Sequence, residues 1–476
     1  MLRLPMLRAG RPYTSLQTDV LHDIRTGEPV AEVSQAIPGM IARDQLRAAE
    51  NKRALEALSV EELLAICKRA GELFANADLP LGDATQSPDD YVRQLASTTG
   101  MPEAMGRANM GKIVKVLDEM AWVLDGLTRG LDLSVLDGGW GEQSGRKLSY
   151  VAQTEQLGAV LPNNSPGVHS LWLPAIPLKV PVVLKPGRTE PWTPFRVAQA
   201  FLEAGCPPAA ISVYPTTHSG GTEILTRAGR SLFFGDASTV AGWHGSGKVQ
   251  VHGPGWSKIV LGADVATNGW REHLDLLVGS IAANGGRSCI NASGIWTASN
   301  GREIAEAVAE RLASIKARPL DDPNAELAAF ADPEIARRIS QMIDIQLHQA
   351  GAEDVTARYR DGDRVAEAGG CTFLLPTLIY CEDPSHPLAQ SEFGFPFAAV
   401  VESGEETVLD AIGPTLIGTV LSDDEIFLRR ALSCRAIDRL NLGAIPTYQI
   451  SWDQPHEGNL FDHLYQQRAF QTALAS

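Results

Sequence analysis

Ala283-Asn284-Gly285-Gly286-Arg287-Ser288-Cys289-Ile290-Asn291-Ala292-Ser293 places one thiol three residues after a pair of glycines. Glycine lets a backbone come close to a bound molecule, and a thiolate is the strongest ordinary protein nucleophile near neutral pH. Cys289 is therefore the first candidate for covalent chemistry. A cysteine in isolation is equally well a small buried apolar side chain, so the surrounding chain has to separate the two readings.

Short apolar runs divided by helical stretches lead up to this loop: Leu157 to Leu161, Val180 to Leu184, Ile211 to Tyr214, Ser231 to Phe234, Val249 to Val251 and Ile259 to Leu261. Strands alternating with helices imply parallel βαβ units and an α/β fold. Such sheets bind ligands in the loops beyond the carboxyl ends of their strands. Here those loops are Pro162-Asn163-Asn164-Ser165-Pro166-Gly167, Lys185-Pro186-Gly187-Arg188 and Gly235-Asp236-Ala237-Ser238-Thr239. A second alternating block, about 265–430, carries Cys289 near its start. Helices are expected in it around 301–315 and 333–349, with an apolar run from Thr372 to Leu375. Nearer the start, Ser59-Val60-Glu61-Glu62 reads as a capping box opening an amphipathic helix. A longer buried helical face follows, through Ile113, Val116, Leu117, Met120, Val123, Leu124 and Leu127. The glycine-rich Gly138 to Gly145 is expected to turn the chain into a β excursion.

The 476 residues are too many for one core, so two or three domains are expected, and 44% hydrophobic residues are ample to bury them. The net charge of −16, with no basic run interleaved with aromatics, excludes nucleic acid and acidic membranes as expected partners. Six scattered cysteines show neither C-x-x-C pairs nor zinc-ligand spacing, which fits a reducing cytoplasm and no metal. The opening residues lack the apolar run of a signal peptide, and nowhere do eighteen apolar residues run together.

Several chemistries drop out by motif. Gly242-Trp243-His244-Gly245-Ser246-Gly247-Lys248 nearly spells a phosphate-binding P-loop, but Val249 stands where a hydroxyl is needed and a strand follows where a helix is required. There is no G-x-G-x-x-G after a strand, no G-x-S-x-G and no H-E-x-x-H.

Asn284, Gly286 and Cys289, spaced as N-x-G-x-x-C, resemble the nucleophile loop of the aldehyde dehydrogenase superfamily. Pro162-Asn163-Asn164-Ser165-Pro166 resembles its P-W-N-x-P loop, which implies that the Asn164 amide helps hold the substrate oxyanion. Val183-Leu184-Lys185-Pro186 resembles a V-L-K-P strand end whose lysine contacts the adenine ribose of the nicotinamide cofactor. Phe234-Gly235-Asp236-Ala237-Ser238-Thr239 is similar to the turn facing the cofactor diphosphate, which puts Gly235 and Asp236 at that site. Pro376-Thr377 and Glu392-Phe393-Gly394-Phe395-Pro396 resemble P-T and E-I-F-G-P, whose glutamate binds the nicotinamide ribose. Keeping Phe-Gly in register would put Ser391 there instead of Glu392; the proline spacing favours Glu392.

The resemblance implies a parallel-sheet cofactor domain over 1–262, interrupted by an oligomerisation excursion at about 131–155, a catalytic domain over 263–435 and a returning C-terminal segment over 436–476. It implies a homodimer or homotetramer that interconverts an aldehyde and a Cys289 thioester with NADP or NAD. Arg188, three residues after Lys185, suits a 2′-phosphate; the alternative is a surface ion pair with Glu190 or Glu203. Arg287, two residues before the thiol, is expected to lower its pKa.

Two features depart from the family pattern. The hydrolytic members use a glutamate in E-L-G-G-K-S-P as general base, and Val251 stands at that place, followed by His252. The connection from Gly235 to Val251 is short. Both features resemble the CoA-acylating and acyl-CoA reductase branch, so CoA is favoured as acyl partner. Water is the alternative, with His252 as base or a carboxylate from elsewhere such as Glu457. A non-catalytic relative acting as a scaffold is the third reading. Trp172, Trp192 and Trp296 are candidates for an apolar substrate tunnel and equally for core. The stretch from Trp452 to Phe461 lacks the usual P-F-G-G pattern.

Overall fold

Five of the apolar runs form one parallel sheet, in the order Val249–His252, Arg230–Phe234, Leu157–Val160, Val182–Lys185, Ile211–Val213, within a computed structural model that describes residues 1–473. The chain lays down the central strand Leu157–Val160, proceeds to one side, then returns to place Arg230–Phe234 on the other. That reversal is a topological switch point, and it opens a crevice beyond the carboxyl ends of the strands. The loops Pro162 to Gly167 and Gly235 to Thr239 border it. On the far side the sheet is extended by the hairpin Met6–Arg8 and Arg11–Tyr13, packed antiparallel against Ile211–Val213.

A second sheet of seven strands runs Ala352–Asp354, Thr377–Cys381, Phe397–Glu402, Ala292–Thr297, Ser257–Leu261, Thr415–Leu421, Ile437–Leu442, parallel except at Ala352–Asp354. Both faces are covered. Ile259 and Leu261 enter one apolar cluster while Val260 between them enters another, as the two-residue period of a strand requires. This moves two boundaries drawn from sequence. Ser257–Leu261 pairs with Ala292–Thr297 and Thr415–Leu421 instead of joining the first sheet, and Ile437–Leu442 is an edge strand of the second sheet. Strand membership is set by these long-range pairings, which an apolar run does not encode.

A third, antiparallel sheet joins Gly141–Gln143, Arg146–Ala152 and the C-terminal strand Tyr465–Arg468. The helix Val60–Asn76 starts with the expected box, the Ser59 side chain accepting from Glu62 N and Glu62 accepting from Ser59 N. The long buried face is two helices, Glu103–Asp118 and Met120–Thr128, broken at Glu119 where ψ opens to 16°. Only one helical turn, Ala237–Val240, and a 3₁₀ turn, Ala241–Trp243, fill the short connection before Val249. Trp172, Trp192 and Trp296 are all fully buried core. Among the described residues no helix is long and apolar enough to cross a membrane, and all six cysteines are free.

Candidate active site

Cys289 lies just before Ala292–Thr297, and Gly255 just before Ser257–Leu261, so the amino ends of two central strands of the second sheet meet here. They face the carboxyl-end crevice of the first sheet. Asn164 closes the gap, its Nδ2 donating to the Arg287 carbonyl at 2.9 Å.

The loop carrying Cys289 is held by side-chain amides. Asn284, at φ 54°, donates to Ser288 Oγ at 3.0 Å and Ser165 Oγ at 3.3 Å, and its Oδ1 accepts from Asn109 Nδ2 at 2.8 Å. Asn291 Oδ1 accepts from Ser288 N at 2.9 Å, while its Nδ2 reaches the carbonyls of Ala283 and Ser280. Gly286 is left-handed at φ 68°, and a Cβ there would overlap the Phe395–Pro396 peptide. Small residues are thus required for the Glu392 segment to lie against the thiol loop. A Cβ on Gly255 would likewise overlap the Cys289 carbonyl. Gly255→Ala is expected to cost about 1–3 kcal/mol of stability through overpacking and to depress turnover by displacing the thiol, measured by thermal unfolding and steady-state rate.

The thiol is pushed well above its ordinary pKa by burial and by the carboxylates of Glu457 and Glu392, with only its own N–H and that of Ile290 opposing. This corrects the expectation that Arg287 lowers it. The Arg287 guanidinium turns instead to the Thr99 carbonyl, at 2.9 Å, at the end of the helix Pro88–Thr99. Asn164 retains a second amide hydrogen, and its Oδ1 is buried without a partner among the described residues.

His252 is buried and stacks on Phe234 with ring centroids 4.3 Å apart. Its Nδ1 is hydrogen-bonded to the Glu457 carboxylate, and its Nε2 has no partner among the described residues. Glu457, at φ 50°, holds a strained left-handed conformation, with its carbonyl accepting from Gln250 Nε2. Arg439, on Ile437–Leu442, clamps the segment carrying it by donating to the carbonyls of Ser451 (2.9 Å), Gln454 (3.3 Å) and Pro455 (2.6 Å). A cavity of about 30 Å³ touches His252, His456, Gln250, Trp452, Leu171 and Leu127, room for one or two waters. Burial, with the charge of Arg439, keeps His456 well below its usual pKa. Glu457 was legible as a spare carboxylate; its pairing with His252 and the Arg439 clamp had no local signal.

The residues expected at the cofactor are placed as follows. Lys185 ends its strand half-buried with no ion-pair partner among the described residues, and burial lowers its pKa. Arg188 is paired with Asp19 at 2.9 Å, neither Glu190 nor Glu203. Glu190 is instead buried, accepting from Thr193 N and Oγ1. Asp236 caps its own turn, accepting from the Ser238 hydroxyl and from the backbone N–H of Thr239 and Ser238, which hold its carboxyl below the usual range. Gly235 allows that turn, since a Cβ would overlap Thr239 Oγ1. Glu392 accepts from the backbone N–H of Gly255, at 3.2 Å, and of Trp256, and burial pushes its carboxyl up to about 7. Ser391 faces away, donating to the Pro387 carbonyl at 2.9 Å.

Solved aldehyde dehydrogenases share this arrangement of sheets. The chain is similar to the aldehyde dehydrogenase KauB from Pseudomonas aeruginosa, with 17% identity over 99% of this chain and 96% of that one and a TM-score of 0.78. It resembles an NADP-dependent enzyme from E. coli at 17% identity, 98% of each chain and TM-score 0.78. Aldehyde dehydrogenase 21 from Physcomitrella patens, solved with the reaction product succinate, is similar at 15% identity, 98% of this chain, 97% of that one and TM-score 0.76. The aldehyde dehydrogenase family model matches residues 13–412. With the family's thiol loop seated between its two sheets, the chain belongs to the aldehyde dehydrogenase family of NAD(P)-dependent aldehyde oxidoreductases.

Proposed function

We propose that this protein oxidises an aldehyde to a carboxylic acid through a Cys289 thioester, with the His252–Glu457 pair activating the releasing water. The Cys289 thiol loses its proton to solvent, and the thiolate adds to the carbonyl carbon. The second amide hydrogen of Asn164 and the backbone N–H groups at Cys289 and Ile290 stabilise the oxyanion. Lys185, Arg188 and Gly235 are the residues that would hold the nicotinamide cofactor, which when bound accepts the hydride and leaves the thioester on Cys289. With its Nδ1 proton directed to Glu457, His252 presents an Nε2 lone pair; it takes a proton from water as the oxygen attacks the thioester. The acid departs as His252 passes its proton to the leaving sulfur, which restores the Cys289 thiol.

The observation that carries this reading is the buried His252–Glu457 hydrogen bond, which supplies a carboxylate-backed base although Val251 occupies the usual glutamate position. Aldehyde and NAD(P) in H₂¹⁸O without CoA are expected to give acid carrying one solvent oxygen. Acyl-CoA as the sole product, formed only when CoA is added, would establish the CoA-acylating reading that the short Gly235–Val251 connection favours.

The cofactor preference turns on Arg188, exposed over 77% of its side chain and able to leave Asp19 at little cost, since such pairs contribute about 0–1 kcal/mol. Arg188→Ala is expected to raise KM for NADP several-fold, leave KM for NAD unchanged and barely move Tm. Equal effects on both cofactors would remove Arg188 from 2′-phosphate recognition. The homo-oligomer implied by the family would use the sheet Gly141–Gln143, Arg146–Ala152, Tyr465–Arg468, where Val151 is exposed.

A further inference from the structure

We propose that a second cavity, built from residues that take no part in the active site, binds a phosphate-bearing small molecule. It lies between the hairpin Met6–Arg8 and Arg11–Tyr13, the helices Pro38–Gln45 and Ala48–Glu56, and the outer strands of the first sheet. Its volume is about 270 Å³, close to the lower end for small-molecule sites.

The lining is rich in donors, and its one carboxylate is already engaged. Asp44 accepts from Arg8 Nε at 2.7 Å, from Arg8 Nη2 at 2.6 Å and from the Tyr214 hydroxyl at 2.9 Å. Gln45 Oε1 takes a hydrogen bond from Gln156 at 2.6 Å, while Gln45 Nε2 is buried with no acceptor among the described residues. Arg11 forms no ion pair among the described residues, and Arg47 reaches only Glu50 on its own helix. Arg8 and Arg47 each meet one carboxylate, and Arg11 meets none among the described residues, in a chain whose net charge is −16.

The backbone holds two of these charges together against their repulsion. Arg8 and Arg11 are directly opposed across the hairpin, an arrangement that is unfavourable for like charges. The turn between them puts Ala9 at φ 46° and Gly10 at φ 72°, both left-handed, although alanine gains nothing locally from that conformation. The two-residue hairpin turn calls for this pair of conformations, and two long-range bonds hold it in place, from Ala9 N to Ser212 Oγ at 2.9 Å and from Gly10 N to the Ile211 carbonyl at 2.7 Å. Strain and like-charge pairing converge on the same cavity, and an anion bearing only acceptors relieves the like-charge pairing. Phosphate oxygens suit paired guanidinium groups through bidentate hydrogen bonds.

Inorganic pyrophosphate is the probe, titrated calorimetrically and by thermal shift against the native chain and against Arg11→Gln, Arg47→Gln and Lys185→Ala. Saturable binding is expected in the native chain and in Lys185→Ala, weakened about tenfold or more in each arginine variant, in line with the loss of a charge-assisted hydrogen bond. The basal aldehyde turnover of Arg11→Gln is expected to equal the native rate. Absence of saturable binding, undiminished binding in both arginine variants, or loss in Lys185→Ala alone, which would locate the probe at the cofactor crevice, each overturns the proposal. None of these outcomes bears on whether Cys289 oxidises aldehydes.

Discussion

Alanine at position 289 is expected to lower aldehyde oxidation by about 10⁴-fold or more, the scale on which loss of a covalent nucleophile is felt. Without sulfur no adduct forms, so hydride has no tetrahedral alkoxide to leave from. The fold should survive, because the loop is held by Asn284, Asn291 and Gly286 and not by the thiol. Unfolding is expected to shift by no more than about 1 kcal/mol. Intact-mass measurement after quenching with substrate should find an acyl adduct on the native chain and none on the variant. A variant as fast as the native chain would sink the assignment. Because burial and the carboxylates of Glu457 and Glu392 raise the thiol pKa, iodoacetamide labelling should be slow at neutral pH and accelerate into the alkaline range.

Changing Glu457 to glutamine is expected to move two measurements in opposite directions. A negative charge beside the sulfur disfavours thiolate, so its removal lowers the thiol pKa and shifts the labelling curve to lower pH. The same change takes away the carboxylate that holds the His252 tautomer, so thioester hydrolysis slows. Hydride transfer should then appear as a burst equal to the enzyme concentration, followed by a steady state about 10²–10⁴-fold below native, the usual worth of general-base catalysis. His252→Gln should reproduce the stalled steady state; His252 is not among the charges raising the thiol pKa, so its labelling curve should stay near native. Unchanged hydrolysis in both variants would leave the pair without a catalytic role. Addition of CoA that restores full turnover to either variant would show that an external thiol can accept the acyl group.

The strands were readable because fully buried parallel strands are written as short apolar runs, as in Val182–Lys185 and Arg230–Phe234. The close approach at the Cys289 loop was readable because it calls for glycine, as at Gly286 against the Phe395–Pro396 peptide. The Ser59 box was readable because it is completed within four residues. Arg188 was half readable. Its exposure and charge are local properties, but Asp19 arrives from 169 positions away. Trp172, Trp192 and Trp296 carry no mark in the sequence separating tunnel from core, and only packing around them decides for core.

Composition, periodicity and short motifs determined an α/β chain and singled out Cys289 as a candidate nucleophile, because each depends on interactions within a few residues. Which strand joined which sheet, the upward displacement of the thiol's pKa and the pairing of His252 with a glutamate 205 positions away were decided by the tertiary structure. These depend on distance and dielectric in space, and only the folded chain brings the β-strand end at His252, the clamp from Arg439 and the strained turn at Glu457 to one place.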